Sequence, residues 1–129
     1  MINLFMSGDF NLHSGGNSNI KIECDALTSE DWDTIARIIS DKYDFKFVSG
    51  IPTGGDKLQE ALAKYEDREG ESNVVLIVDD VLTTGGSMVK YRDNLEHYFP
   101  NYEYKGVVLF ARGECPDWVE PIFKMWKGI

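Results

Sequence analysis

Val74-Val75-Leu76-Ile77-Val78 is a continuous apolar, mostly β-branched run. Such a run suits a strand covered on both faces, as in a parallel sheet. Asp79 and Asp80 end it, Thr83-Thr84-Gly85-Gly86 follow, and a polar–apolar pattern resumes at Ser87-Met88-Val89. The order reads strand, tight loop, helix. That helix is predicted over 86–99, stopped by Pro100, with Met88, Val89, Tyr91, Leu95 and Phe99 facing inward. Upstream, Thr28 or Ser29 precedes Glu30-Asp31, an N-cap with acids in the first turn. Trp32, Ile35, Ala36, Ile38 and Ile39 then recur at helical spacing, which predicts a helix from about 29 to 43. Phe45-x-Phe47-Val48 predicts a short strand. Leu58, Ala61, Leu62 and Tyr65 make the buried stripe of a further helix, and Lys105 to Ala111 reads as another buried strand. Trp118, Ile122, Phe123 and Trp126 are expected to close the core as a last short strand or turn.

Strands alternating with helices imply an α/β fold, a parallel sheet with helices on both faces. Residues 1–19 fit that alternation poorly. They are rich in Gly, Ser and Asn with little periodicity, which alone predicts a flexible arm. Ile20, Ile22 and Cys24 alternate with Lys21 and Glu23 as a short half-exposed strand would. No linker, repeat or low-complexity tract divides the chain, so residues 1–129 are expected to form one domain.

Composition narrows the partners. The chain has 129 residues and a net charge of −9. That acid excess disfavours nucleic acid and anionic membrane, and no run approaches the ~18 apolar residues of a membrane span. The first six residues lack the basic flank of a signal peptide, so a cytoplasmic protein is expected. Cys24 and Cys115 form no metal spacing and read as reduced and structural. His13 and His97 form no ligand cluster, and His97 falls on a helix surface.

The loop after Val78 carries the candidate chemistry. Gly85 and Gly86 let the backbone approach a ligand, and free N–H groups at a helix start favour an anion such as phosphate. Thr83, Thr84 and Ser87 add hydroxyl donors. Asp79 and Asp80 repel phosphate but accept hydrogen bonds from sugar hydroxyls. A loop with a diol end and a phosphate end suits a ribose 5-phosphate. Paired aspartates after a strand also occur in phosphorylation receivers, but near the start of those domains, whereas here most of the chain precedes Asp80.

VLIVDDVLTTGGS resembles the phosphoribosyl-pyrophosphate (PRPP) loop of the type I phosphoribosyltransferases. The resemblance implies that Asp79 and Asp80 contact the ribose hydroxyls, and that Thr83, Thr84, Gly85, Gly86 and Ser87 cradle the 5′-phosphate. Gly50-Ile51-Pro52-Thr53-Gly54-Gly55, one strand and one helix earlier, is similar to the family's pyrophosphate loop, with the Thr53, Gly54 and Gly55 amides facing a diphosphate. Phe10-x-Leu12-x-Ser14-Gly15-x-x-Ser18 resembles the start of orotate phosphoribosyltransferases, where residues 1–25 would form a hood over the base and Phe10 would line it. Arg112, just past the strand 105–111, stands where those enzymes contact the substrate carboxylate. An arginine there is equally well a solvated loop residue. The family's Mg²⁺ would arrive with PRPP, Asp79 and Asp80 being its nearest candidate ligands, and the family suggests a homodimer.

Two departures qualify the resemblance. His13 and Gly16 stand where the hood usually has a lysine or arginine. Glu66 to Asn73, eight residues, replace a strand pair joined by a mobile loop that carries catalytic cations. Arg68 is the one base there, against Glu66, Asp67, Glu69 and Glu71. No catalytic residue is therefore assigned. Purine-specific relatives commonly have an acid at the position of Thr83, which favours a pyrimidine acceptor such as orotate. The reading is an orotate phosphoribosyltransferase-like enzyme of pyrimidine biosynthesis. The alternatives are a PRPP-binding sensor without turnover and a generic α/β nucleotide-binding protein.

Overall fold

A computed structural model describes residues 3–11 and 17–125, the side chains of residues 8–20 excepted. His13, Gly16 and Trp126 lie outside the described residues, as does the side chain of Phe10. Strands β1 (Phe5–Asn11) and β2 (Asn17–Ile22) pair antiparallel as a hairpin, where the sequence predicted a flexible arm and a single strand. A 3-10 turn at Cys24–Ala26 leads to helix α1 (Ser29–Lys42). Thr28 caps α1 in a reciprocal box. Its hydroxyl accepts from the Asp31 N–H at 3.2 Å while the Asp31 carboxylate accepts from the Thr28 N–H at 2.8 Å, which satisfies two otherwise orphaned donors.

The main sheet holds β3 (Phe47–Gly50), β4 (Val74–Leu82), β5 (Glu103–Ala111) and β6 (Val119–Lys124), all parallel and in that spatial order. Helix α2 (Asp56–Leu62) joins β3 to β4, and α3 (Gly86–Tyr98) joins β4 to β5. Residues 112–118 alone join β5 to β6. This short return suffices because β6 starts opposite Gly106, about halfway along β5, so the chain retraces only roughly 17 Å.

Alternate residues of β4 enter separate cores, which is why its first five residues, 74–78, are all apolar. Val74, Leu76 and Val78 pack with Trp32, Ile35 and Ile39 of α1 and with Leu58 and Leu62 of α2. Val75 and Ile77 pack on the other face with Met88 of α3. Ile38 is half exposed and Phe99 more so, so neither belongs to the buried stripe expected of it. Phe123 is likewise exposed on the edge strand β6. Because β3, β4 and β5 succeed one another in one direction while α2 and α3 lie on opposite faces, the two crossovers have opposite hands. One of them departs from the usual right-handed rule.

β3 is an edge strand, and its outward donors are covered by side chains. The Val48 N–H donates to Glu66 Oε2 at 2.8 Å and the Gly50 N–H to Gln59 Oε1 at 2.6 Å. The link 66–73 is stitched to the amino end of β3. The Asp67 N–H donates to the Phe45 carbonyl at 3.0 Å, and Lys46 Nζ donates to the Gly70 carbonyl at 3.0 Å.

Candidate functional site

The carboxyl ends of β3 and β4 lie side by side, since Gly50 pairs with Val78 and the Ile51 N–H donates to the Val78 carbonyl at 2.9 Å. Beyond them the chain makes a tight turn at 52–55, with a cis Pro52–Thr53 peptide. This turn touches the acidic pair of β4. A Cβ on Gly54 would stand 2.4 Å from Asp80 Oδ1, so only glycine permits the approach. The turn consumes some of its own amides. The Gly55 N–H donates to the Ile51 carbonyl at 2.7 Å and the Asp56 N–H to the Thr53 carbonyl at 3.1 Å. The Gly55 amide expected to face a diphosphate is thus already engaged, and Gly50 and Gly55 are buried beneath the turn.

Asp79 and Asp80 are half-buried, and each is folded onto the next amide. The Asp80 N–H donates to Asp79 Oδ1 at 2.8 Å and the Val81 N–H to Asp80 Oδ1 at 2.7 Å. Burial, and then the neighbouring Asp80 charge, push the Asp79 carboxyl up to about 7. Asp79, half-buried beside a second acid, therefore holds negative charge poorly. Donors from a diol or a cation would relieve it.

After the acids, Gly85 takes φ +83° and α3 begins. A left-handed residue here suits glycine. The Val89 N–H is accepted by the Gly85 carbonyl at 3.1 Å, and the Gly86 N–H donates to Thr84 Oγ1 at 3.3 Å. The Ser87 and Met88 N–H groups precede Val89, the first intrahelical donor, so α3 presents the positive end that binds anions. The Arg112 N–H donates to the Leu82 carbonyl at 2.8 Å, which fixes Arg112 beside this loop.

Both loops open into one crevice of about 1080 Å³. Of the residues singled out from sequence, Ile51, Pro52, Thr53, Gly54, Asp79, Asp80, Thr83, Thr84, Gly85, Gly86, Ser87 and Arg112 border it, whereas Gly50 and Gly55 do not. The carboxyl end of β2, the turn after it and the first turns of α1 and α2 account for most of the rest of the wall. Lys21, Glu23, Cys24 and Asp25 come from the hairpin side, Trp32 from α1, and Asp56 and Lys57 from α2. Of these seven, only Lys21 is a site candidate from the sequence, as an alternative source of the charge that the short link lacks. The Cys24 thiol is pushed up to about 12 by burial and by Asp80, so it stays protonated and serves as packing. No residue of the link 66–73 borders the crevice.

Among the described residues no three His, Cys, Asp or Glu side chains stand together as a metal cage. The donor set nevertheless fits Mg²⁺ brought by a diphosphate. That ion usually takes one or two carboxylates and fills its shell with phosphate and water, and Asp79 and Asp80 offer that number.

No protein-family model and no curated protein matches the sequence. Solved structures do. Orotate phosphoribosyltransferase from Aeropyrum pernix superposes with a TM-score of 0.72 at 23% identity, over 95% of this chain and 88% of that one. The Mycobacterium tuberculosis orotate phosphoribosyltransferase gives 0.70 at 16% identity, over 94% and 89%. Leishmania donovani UMP synthase gives 0.70 at 20%, over 95% of this chain and 34% of that longer one. This chain has the type I phosphoribosyltransferase fold. Within that fold, the crevice lies where open parallel sheets hold ligands, outside the carboxyl ends of the strands. Among the described residues the parallel sheet ends at β3. No helix among the described residues is long and apolar enough to cross a membrane.

Proposed function

We propose that the crevice binds PRPP and that the protein transfers ribose 5-phosphate from it to a pyrimidine base carrying a carboxylate, such as orotate. The observation that carries this reading is the contact between the Gly54 turn and Asp80, with the α3 amino end following on the same loop. It sets a diol acceptor between two places suited to phosphate groups. The 5′-phosphate would lie on Thr83 to Ser87, the ribose hydroxyls on Asp79 and Asp80, and the diphosphate against Ile51 to Gly54. Arg112 would pair with the base carboxylate, and Phe10 would lie over the base. Mg²⁺ held by the diphosphate and the acid pair would offset charge on the leaving group.

In the reaction the bond from C1′ to the diphosphate breaks and its electron pair leaves with the diphosphate. A ring nitrogen of the base supplies the pair for the new C1′–N bond and releases its proton to solvent. Thr83 supplies no base for that proton, which suits an acidic acceptor better than a 6-oxopurine. Preorganised donors facing developing charge typically contribute 10²–10³ in rate each. The link 66–73 contributes none, because it is fastened at the opposite end of β3. Turnover is therefore expected to be slow.

That same fastening favours a second reading, a PRPP-binding sensor without transfer. Calorimetry with PRPP, with and without Mg²⁺, followed by an assay of pyrophosphate release in the presence of orotate or uracil, separates the two. Mg²⁺-dependent binding with slow orotate-dependent release supports the enzyme. Binding with no release from either base supports the sensor, and no binding at millimolar PRPP refutes both.

A further inference from the structure

We propose that Lys57 is the diphosphate-binding cation of the crevice, held by Asp25 until the ligand takes it; this rests on the PRPP reading above. Several observations converge on Lys57. The Gly55 and Asp56 amides are spent on the carbonyls of Ile51 and Thr53, so two fewer backbone donors serve this end of the crevice. The link that might have brought a cation is fastened elsewhere, and its Arg68 is paired with Glu66 at 2.9 Å. Of the other cations on the crevice wall, Arg112 is fixed beside the loop after β4, and Lys21 belongs to β2, paired at 3.3 Å with Glu23, a far less exposed partner than the one Lys57 has. Lys57 borders the crevice in the first turn of α2, two residues past the turn that would face the diphosphate.

Its placement opposes the local electrostatics of its own helix. A cation in a helix's first turn meets the positive end of the dipole, which disfavours it. A residue that breaks a local rule without a structural gain is a candidate for function. The structural partner of Lys57 is Asp25, across the crevice mouth at 3.3 Å, and both side chains are about half exposed or more. An ion pair so solvated contributes little, so exchange of one carboxylate for a diphosphate with several charges is favourable.

The test uses the full chain and two probes, PRPP and ribose 5-phosphate, which shares every group of PRPP except the diphosphate. Lys57→Ala is expected to weaken PRPP binding about ten- to a hundredfold, the range of a lost charge-assisted contact, and to leave ribose 5-phosphate binding unchanged. Asp25→Asn, which frees the ammonium, is expected to tighten PRPP binding about two- to fivefold. Lys57→Arg should retain most of the affinity. If ribose 5-phosphate binds and Lys57→Ala leaves PRPP affinity within twofold, the role of Lys57 is refuted while the PRPP reading stands. If Lys57→Ala weakens both probes equally, the residue acts on the fold and the proposal also fails. If the unaltered protein binds neither probe, the PRPP reading fails and the proposal with it.

Discussion

Gly54→Ala tests whether the two ligand loops depend on their mutual contact. The added Cβ would fall 2.4 Å from Asp80 Oδ1 and 2.7 Å from its Cγ and Oδ2, well inside van der Waals contact. Asp80 cannot swing away freely, because the same Oδ1 accepts the Val81 N–H at 2.7 Å. Moving the carboxylate leaves that half-buried donor unpaired, at about 1–3 kcal/mol. Moving the turn instead strains a packed loop by a similar amount. Either way the apo protein should lose roughly 1–3 kcal/mol in urea denaturation. PRPP affinity should fall about ten- to a hundredfold as the Asp80 contact with the ribose is lost. A double-mutant cycle isolates the cause. In an Asp80→Ala background the carboxylate is gone and the alanine methyl has room, so Gly54→Ala should cost much less. A coupling of about 1 kcal/mol or more is expected. Additive effects, within about 0.5 kcal/mol, would refute the claim that these loops define one another.

Other expectations follow from the same geometry. Glu66→Ala removes the acceptor that covers Val48 on the open edge of β3 and should cost about 1–3 kcal/mol, with concentration-dependent association as the edge is bared; Glu66→Gln should recover most of the loss, and denaturation indistinguishable from the unaltered protein would show that the cap is idle. Asp79, whose carboxyl stands near 7 rather than 3.8, keeps its proton in the folded state where the unfolded chain has released it. Its share of stability is therefore full below about pH 4 and is lost as pH rises through about 7. Asp79→Asn should flatten that decline and stabilise the apo protein at pH 8 while weakening PRPP binding, whereas an unchanged stability profile would contradict the buried-pair account. Arg112→Ala should abolish discrimination between orotate and uracil in the pyrophosphate-release assay with PRPP affinity preserved; an equal effect on both bases would return Arg112 to the role of a loop residue.

What the sequence made legible is what is local. The run 74–78, the acids, the hydroxyls and the glycines of the loop after it are contiguous, and each residue type has one physical reason to be there. The cap at Thr28 is equally local. The hairpin β1–β2 was illegible because main-chain pairing, not periodic burial, forms it: Phe5 and Met6 remain substantially exposed. β6 was ambiguous for a similar reason, as an edge strand with Pro121 inside it and Phe123 turned outward, both tolerable only at an edge. Ile38 has helical spacing yet lies one step round α1 from Ile39, beyond the strip that the sheet covers. The contributions of Lys57, Asp25 and Trp32 to the crevice required the fold, since they join elements far apart in the chain. One signal was available: Lys57 stands at the start of a helix, where a cation is out of place.

The short link explains two features that are otherwise unrelated. If the α3 crossover has the ordinary right-handed sense, then α2, on the opposite face, makes a left-handed connection from β3 to β4. Such connections are rare because a twisted strand feeding a right-handed helix packs back onto the sheet the other way. A further strand outboard of β3 would remove the anomaly, since α2 would then lead away from β4 on its present face with the usual hand. The same strand would accept the Val48 and Gly50 N–H groups that Glu66 and Gln59 now cover. The observed sheet therefore has the connections expected of a longer sheet with a strand outboard of β3, although among the described residues it ends at β3. Without such a strand β3 is an edge, and α2 is bound to its face of the sheet through Leu58 and Leu62. Side-chain acceptors cover the edge with residues already on hand, one from α2 and one from the link. They do nothing for the crevice, because both point to the side of β3 away from β4, while the ligand loops lie beyond its carboxyl end. Covering the edge and supplying charge to the crevice are thus separate tasks. Glu66 and Gln59 cover the edge, and on the PRPP reading a cation for the diphosphate comes from the residues of the crevice wall.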